Sequence, residues 1–174
     1  MKKRIYLAFT AIILLSIIIL TIFYWQINLT PKFSFGLKFE TINSASEDQR
    51  GYLWNNNTNT LNFTTTPNSY CLLYFDQFRN IGLTTLHNIT VFIDSFPQGL
   101  TVGTLNQVNN SLEFTPHSID FPIEIPYGTL NSSEHRTTMH GWNFQTISLG
   151  KYEIPCRLIS QEVSIPFNVT INVT

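Results

Sequence analysis

Residues 5–25 read IYLAFTAIILLSIIILTIFYW, a run with no charge and only Thr10, Ser16 and Thr21 as mildly polar members. As a helix rising about 1.5 Å per residue, such a run reaches roughly 30 Å, the thickness of a bilayer's hydrocarbon core. Met1-Lys2-Lys3-Arg4 precedes it, and the next lysine is Lys32. The positive-inside bias then keeps residues 1–4 in the cytoplasm and exports the chain beyond the span. Tyr24 and Trp25 stand where an interfacial aromatic belt belongs. A cleaved signal peptide is the competing reading. Its apolar region is about 7–15 residues long and ends at a small-x-small site, whereas Phe23-Tyr24-Trp25-Gln26-Ile27-Asn28 offers no small residue. A buried core helix does not fit, because no face of the run is polar. The expectation is a single-pass signal-anchor at 5–25 in the cell membrane, a stem at 26–31 and an extracytoplasmic domain at 32–174.

Three of the ten basic residues lie in residues 1–4, leaving seven against eleven acids outside the membrane. That mildly acidic balance excludes a nucleic-acid partner, which calls for a basic patch. It also supplies no polybasic segment for anionic lipid headgroups.

Eight Asn-x-Ser/Thr sequons lie beyond the apolar run, at Asn28, Asn56, Asn62, Asn88, Asn109, Asn131, Asn168 and Asn172. Composition alone predicts about three such acceptor patterns. An Asn- and Thr-rich surface with unused acceptors is the bland alternative. Against it, the sequons fall on the polar side of alternating segments. In Leu61-Asn62-Phe63-Thr64 and in Asn88-Ile89-Thr90-Val91 the acceptor alternates with apolar residues. Along 163–174, Val163, Ile165, Phe167, Val169, Ile171 and Val173 alternate with Ser164, Asn168, Thr170 and Asn172. Successive strand side chains point to opposite faces, so these acceptors face solvent.

Cys71 and Cys156 share the apolar parity of their segments, Cys71-Leu73-Phe75 and Tyr152-Ile154-Cys156-Leu158. In an oxidising compartment an intersheet disulfide is expected. Closing a loop of about 85 residues would stabilise the fold by roughly 4–5 kcal/mol in the chain-entropy model. Two buried free thiols acting as small hydrophobes are the alternative.

Alternation and turn chemistry predict strands near 32–42, 60–66, 70–78, 88–96, 100–105, 111–115, 120–125, 144–149, 151–160 and 163–173, with polar loops at 44–50 and 131–140. Many short strands at this spacing suggest an all-β sandwich or barrel. Pro155 and Pro166 each demand an edge or a bulge, because proline donates no ladder hydrogen bond.

Five segments carry a family likeness: Arg79-Asn80-Ile81-Gly82-Leu83, Asn88-Ile89-Thr90-Val91, Pro97-Gln98-Gly99-Leu100-Thr101-Val102, Gly150-Lys151-Tyr152-Glu153-Ile154, and Phe167-Asn168-Val169-Thr170-Ile171-Asn172-Val173. Over residues 70–174 the chain resembles the Ig-like sandwich modules of archaeal and bacterial surface proteins, of the CARDB and NPCBM-associated type. The resemblance implies an antiparallel Ig-like β-sandwich used for adhesion, spacing or polymer binding. It carries over no catalytic residue. The polar segment 128–142 and the two cysteines depart from the pattern.

Chemistry-bearing constellations are few. His135 and His140 flank Glu134-His135-Arg136-Thr137-Thr138-Met139-His140 without the His-Glu-x-x-His spacing of a zinc site, so a solvated loop is expected rather than a metal or other cofactor. Glu47-Asp48 and Asp120/Glu124 are the carboxylate pairs to weigh, and a solvated face is the commoner fate of such pairs. No nucleophile elbow, phosphate loop or dinucleotide fingerprint occurs. The expectation is a non-enzymatic surface module that meets a protein or a glycan. An accessory subunit of a larger membrane complex is the second reading, and a metal-dependent hydrolase around His135 and His140 the third. Tyr52, Trp54, Tyr127 and Trp142 are the candidate ligand-binding aromatics, with core filling as the competing role.

Overall fold

The computed structural model describes residues 2–29, 31–42, 48–54, 60–108, 111–146 and 148–174, and all their side chains except those of 2–9, 11, 26–29, 108 and 139. Helix α1 (Lys2–Leu29) runs on past Trp25, so most of the expected stem is helical. Its described apolar side chains are exposed on every side, from Ile12 and Leu15 to Ile18, Phe23 and Trp25. The Ser16 and Thr21 hydroxyls donate back to the carbonyls of Ile12 and Ile17 at 2.9 and 2.7 Å, which satisfies them within the helix. Among the described residues no helix is long and apolar enough to cross a membrane.

Among the described residues eleven strands come after the helix: β1 (Phe33–Thr41), β2 (Gln49–Trp54), β3 (Thr60–Thr65), β4 (Tyr70–Asn80), β5 (Leu86–Ile93), β6 (Leu100–Val108), β7 (Ser111–Pro116), β8 (Ile123–Leu130), β9 (His135–Thr146), β10 (Gly150–Ile159) and β11 (Ser164–Val173). They form a sandwich of a six-stranded sheet, ordered β2-β1-β4-β9-β6-β7, and a five-stranded sheet, ordered β3-β11-β10-β5-β8. Alternation decides which side chains meet between them. Phe33, Phe35, Leu37 and Phe39 of β1 are buried, as are Leu73, Phe75 and Phe78 of β4 and Phe167, Val169 and Ile171 of β11. Phe35 is the hub. Its ring lies 5.9 Å from Phe75, 6.1 Å from Phe78, 5.9 Å from Tyr127 and 5.8 Å from Phe167. Each such side chain contributes about 1.5–3 kcal/mol by leaving water.

The expected all-β sandwich stands, with corrections. One ladder is parallel, β11 with β3, where a wholly antiparallel fold was expected. Segment 44–50 was expected as a loop, yet Gln49 opens β2, which pairs with β1. The 131–140 loop is replaced from His135 onward by β9, which lies between β4 and β6. Strand β8 covers 123–130 rather than 120–125 and begins just after a cis Phe121-Pro122 peptide.

Both troublesome prolines sit where one flanking ladder has stopped. The β10–β5 ladder reaches Cys156 but not Pro155, and the β11–β3 ladder starts at Asn168, beyond Pro166. No ladder bond is lost on those flanks. The Pro-x-Gly segment at 97–99 and the Gly-x-Tyr segment at 150–152 meet in space. Gly99 has φ +98°, and a Cβ there would lie 2.5 Å from the Tyr152 ring. Only glycine accepts that corner. The Tyr152 hydroxyl donates to the Ser148 carbonyl at 2.9 Å and closes the same corner.

The expected disulfide is absent: Cys71 and Cys156 are both buried free thiols. Cys71 lies 3.6 Å from the Thr65 hydroxyl, and Thr65 pairs with Val173 of β11. Cys156 pairs with Phe167 of that same strand. The way from Phe167 to Val173 is roughly 20 Å along a strand, several times a disulfide's reach. Parity was right for both residues. Their levels in the sandwich differ.

Candidate binding face on the six-stranded sheet

The outward residues of β1, β2 and β4 line up in rows across the strands. Trp54, Ser34 and Arg79 make one row, Tyr52, Gly36 and Gln77 the next, and Arg50, Lys38 and Tyr74 a third. Tyr52 and Trp54 remain 47% and 48% exposed, so the expected pair is displayed rather than consumed by the core. Two glycines let rings lie against the sheet. A Cβ on Gly36 would stand 3.2 Å from Cε1 of Tyr52, and one on Gly141 would stand 2.9 Å from Cδ1 of Tyr74. Each tyrosine occupies the space its cross-strand glycine leaves, the pairing in which aromatics cover glycines on a sheet.

Two shallow depressions result. Ser34, Gly36, Tyr52, Trp54, Gln77, Arg79 and Ile81 line one of about 250 Å³. Lys38, Glu40, Tyr74, Asp76 and Thr138 line a second of about 290 Å³. Lys38 pairs with Glu40, and with Asp48 at 2.9 Å, while its ammonium sits 6.0 Å from the centre of the Tyr74 ring. The hydrogen bonds to Glu40 and Asp48 hold the Lys38 pKa above its usual value.

Towards the far edge the pattern inverts. Strands β6 and β7 form an outlying hairpin at one edge of the six-stranded sheet, and Leu105 pairs with Phe114 on its outward side. Thr104, Asn106, Glu113 and Thr115 take the side that would elsewhere be core. Phe114 stacks on the outward ring of Tyr70 at 5.7 Å. Aromatic and apolar groups therefore extend over the outer surface, from Trp54 at one edge to Phe114 at the other.

Two of the four candidate aromatics are not displayed. Tyr127 is fully buried, edge-on to Phe35, and accepts a hydrogen bond from Thr138 at 3.2 Å. Burial pushes its phenol pKa up strongly. Trp142 is partly buried against the core, edge-on to Phe75 at 5.5 Å. Both fill the sandwich, the competing role.

The histidines do not converge. His135 pairs with Arg79 on the outer side, while His140 pairs with the inward Phe75 and stacks on Trp142. Among the described residues no group of three or more His, Cys, Asp or Glu is placed to hold a metal ion. Glu47 lies outside the described residues, and Asp48 is taken up by Lys38. Asp120 precedes β8, so it does not share a strand face with Glu124.

Of the sequon asparagines, Asn62, Asn168 and Asn172 lie on the outer face of the five-stranded sheet, on the adjacent strands β3 and β11. Asn88 is exposed, with φ +54°, beside a register shift in the β5–β8 ladder. Asn131 is exposed in the turn before β9. Asn56, Asn109 and the Asn28 side chain lie outside the described residues. No sequon falls on the strands β1, β2, β4 or β9.

Ser34, Gln77, Arg79 and Tyr74 do not stand out in the sequence. A signal exists for Ser34, because the parity that buries Phe33 and Phe35 sends it outward. Arg79 figures there only as the first residue of the Arg79-Asn80-Ile81-Gly82-Leu83 segment.

No family model matches the chain, and no curated protein sequence matches it. Among solved structures it is similar to a family 123 glycoside hydrolase from Clostridium perfringens, studied for glycolipid glycan hydrolysis, with 14% identity and a TM-score of 0.32. The match covers 67% of this chain but only 23% of the hydrolase, and at that score it bears on neither fold nor function.

Proposed function

We propose that the chain is a non-enzymatic interaction module held at the cell membrane by α1, with its N-terminus in the cytoplasm. Its extracytoplasmic Ig-like sandwich meets a protein or a glycan through the outer face of the six-stranded sheet. The uncharged apolar run at 5–25, long enough in sequence for a bilayer core, is what supports the span. A helix apolar all round finds its stable setting in a core or in lipid, and the described part of α1 is exposed to neither sheet's core. The likeness to surface-protein modules favours adhesion or polymer binding over chemistry.

One observation carries the reading of the face. Of the sequon asparagines with described side chains, Asn62, Asn168 and Asn172 lie on the five-stranded face and Asn88 and Asn131 are exposed, while the strands β1, β2, β4 and β9 carry no sequon and present the exposed rings. A surface that must be touched has to stay free of sugar, and exposed aromatics beside polar groups are the usual anchors of recognition.

Photo-crosslinking on intact cells tests this. A photoreactive residue at Gln77 or Tyr74 should give adducts that the same residue at Glu153, on the opposite face, does not. Equal labelling from both faces would sink the assignment, and a chain that washes off membranes at alkaline pH would sink the anchor.

A further inference from the structure

The two depressions on the open face differ in how their charges are satisfied. Beside Tyr74, Lys38 is already held between Glu40 and Asp48. Beside Tyr52 and Trp54, Arg79 is exposed, and among the described residues no carboxylate pairs with it. The other polar side chains lining that cavity are those of Ser34 and Gln77, with the phenol of Tyr52 and the indole of Trp54. At about 250 Å³ the space falls below the roughly 300–1,000 Å³ of sites for drug-sized ligands, the scale of a single ring.

Resting on the interaction-face reading above, we propose that this cavity takes a hexuronic-acid residue of an acidic glycan. The pyranose ring lies against Tyr52 and Trp54, its carboxylate meets the Arg79 guanidinium, and its hydroxyls meet Gln77 and Ser34. A guanidinium matches a carboxylate through two parallel hydrogen bonds, which a lysine ammonium cannot reproduce. A peptide is the poorer fit. Extended peptides join a sheet along its edge through backbone bonds, and helical ones need a continuous apolar groove. This cavity opens on a sheet face, over backbone already paired with β2 and β4, and polar groups interrupt it.

The test is titration of the full-length protein in detergent micelles with hexagalacturonate and with its fully methyl-esterified form, which keeps every ring and removes every charge. The acid should bind at least about tenfold more tightly than the ester, the scale of charge-assisted hydrogen bonds. Arg79→Gln should erase that preference, Trp54→Ala should weaken both forms, and Glu153→Gln on the opposite face should change neither. Near-ultraviolet dichroism shows that each variant is folded. Equal binding of acid and ester, no binding of the acid, or equal binding of a hexaglutamate peptide each overturns the proposal. If photo-adducts at Gln77 persist in those cases, the interaction face survives and only the ligand class is lost. Without them, both fall.

Discussion

The side-chain amide of Gln49 treats Thr64 as a neighbouring strand would, donating to its carbonyl at 2.6 Å and accepting from its N–H at 2.8 Å. Gln49 belongs to β2 at the edge of one sheet, and Thr64 to β3 at the edge of the other. An open edge is a template for unwanted pairing. Here one amide occupies it and joins the two sheets at their border. Gln49→Ala should cost about 1–2 kcal/mol, the range for two hydrogen bonds at an exposed site. Gln49→Glu should cost at least as much at neutral pH, because a carboxylate set against the Thr64 carbonyl cannot donate. Urea denaturation midpoints check both, and a Glu variant as stable as the parent would mean that the amide's donor is unimportant.

Burial pushes the Cys71 thiol from its ordinary value of 9.0 up to about 11, against the opposing hydrogen bonds from Thr65 and Thr41. Burial pushes Cys156 further in the same direction. Thiols held above their unfolded values stay protonated in the folded chain while the unfolded chain ionises. Their contribution is intact below about pH 9 and is lost as pH rises towards 11 and beyond, because the unfolded state then binds fewer protons. Stability should therefore fall across that window, and the fall should shrink in a Cys71→Ala/Cys156→Ala variant compared with the parent at each pH. At pH 8 the native protein should react slowly with a thiol reagent, and two thiols should appear on unfolding without reductant. Recovery of fewer than two would restore the disulfide.

The aromatics divide into two populations that mutation should separate. Tyr127→Ala removes a ring packed against Phe35 and Phe78 and should cost about 3–5 kcal/mol. Tyr127→Phe loses only the hydroxyl that meets Thr138 and should cost about 1 kcal/mol. Trp54→Ala, at a half-exposed edge position, should fall within about 0.5 kcal/mol of the parent. A large loss at Trp54 would assign it to the fold rather than to recognition.

Parity was legible wherever one face is core and the other is water. Phe167, Val169, Ile171 and Val173 announced β11, and β1 fell within the strand expected at 32–42. Only the end of β9 was legible, from Phe144, because its first inward residue is not apolar. Arg136 there donates to the Tyr127 carbonyl instead of entering the core. Tyr127 was hidden for a related reason. With β8 expected too early, it stood next to a loop rather than within a strand. The cysteines show the deeper limit. Period two reports which face a residue takes but says nothing about its height along the sandwich, which pairing registers set. Arg79, at the end of β4, is adjacent to Trp54 only through β1, a relation no local pattern contains.

Thr170 is fully buried between Asn62 of β3 and Glu153 of β10, and among the described residues its hydroxyl has no hydrogen-bond partner. A buried orphan of this kind costs roughly 1–3 kcal/mol, and valine would fill the same space without it. Thr170 also completes the acceptor pattern Asn168-Val169-Thr170. In the folded domain it is shielded, so any sugar on Asn168 has to be attached before β11 docks. Thr170→Val should raise the denaturation midpoint, by the equivalent of about 1 kcal/mol, and lower the intact mass by one glycan. Asn168→Gln should give the same mass loss without the gain in stability. A lower midpoint for Thr170→Val would show that the hydroxyl supports the packing, and an unchanged mass in both variants would remove Asn168 from the modified sites.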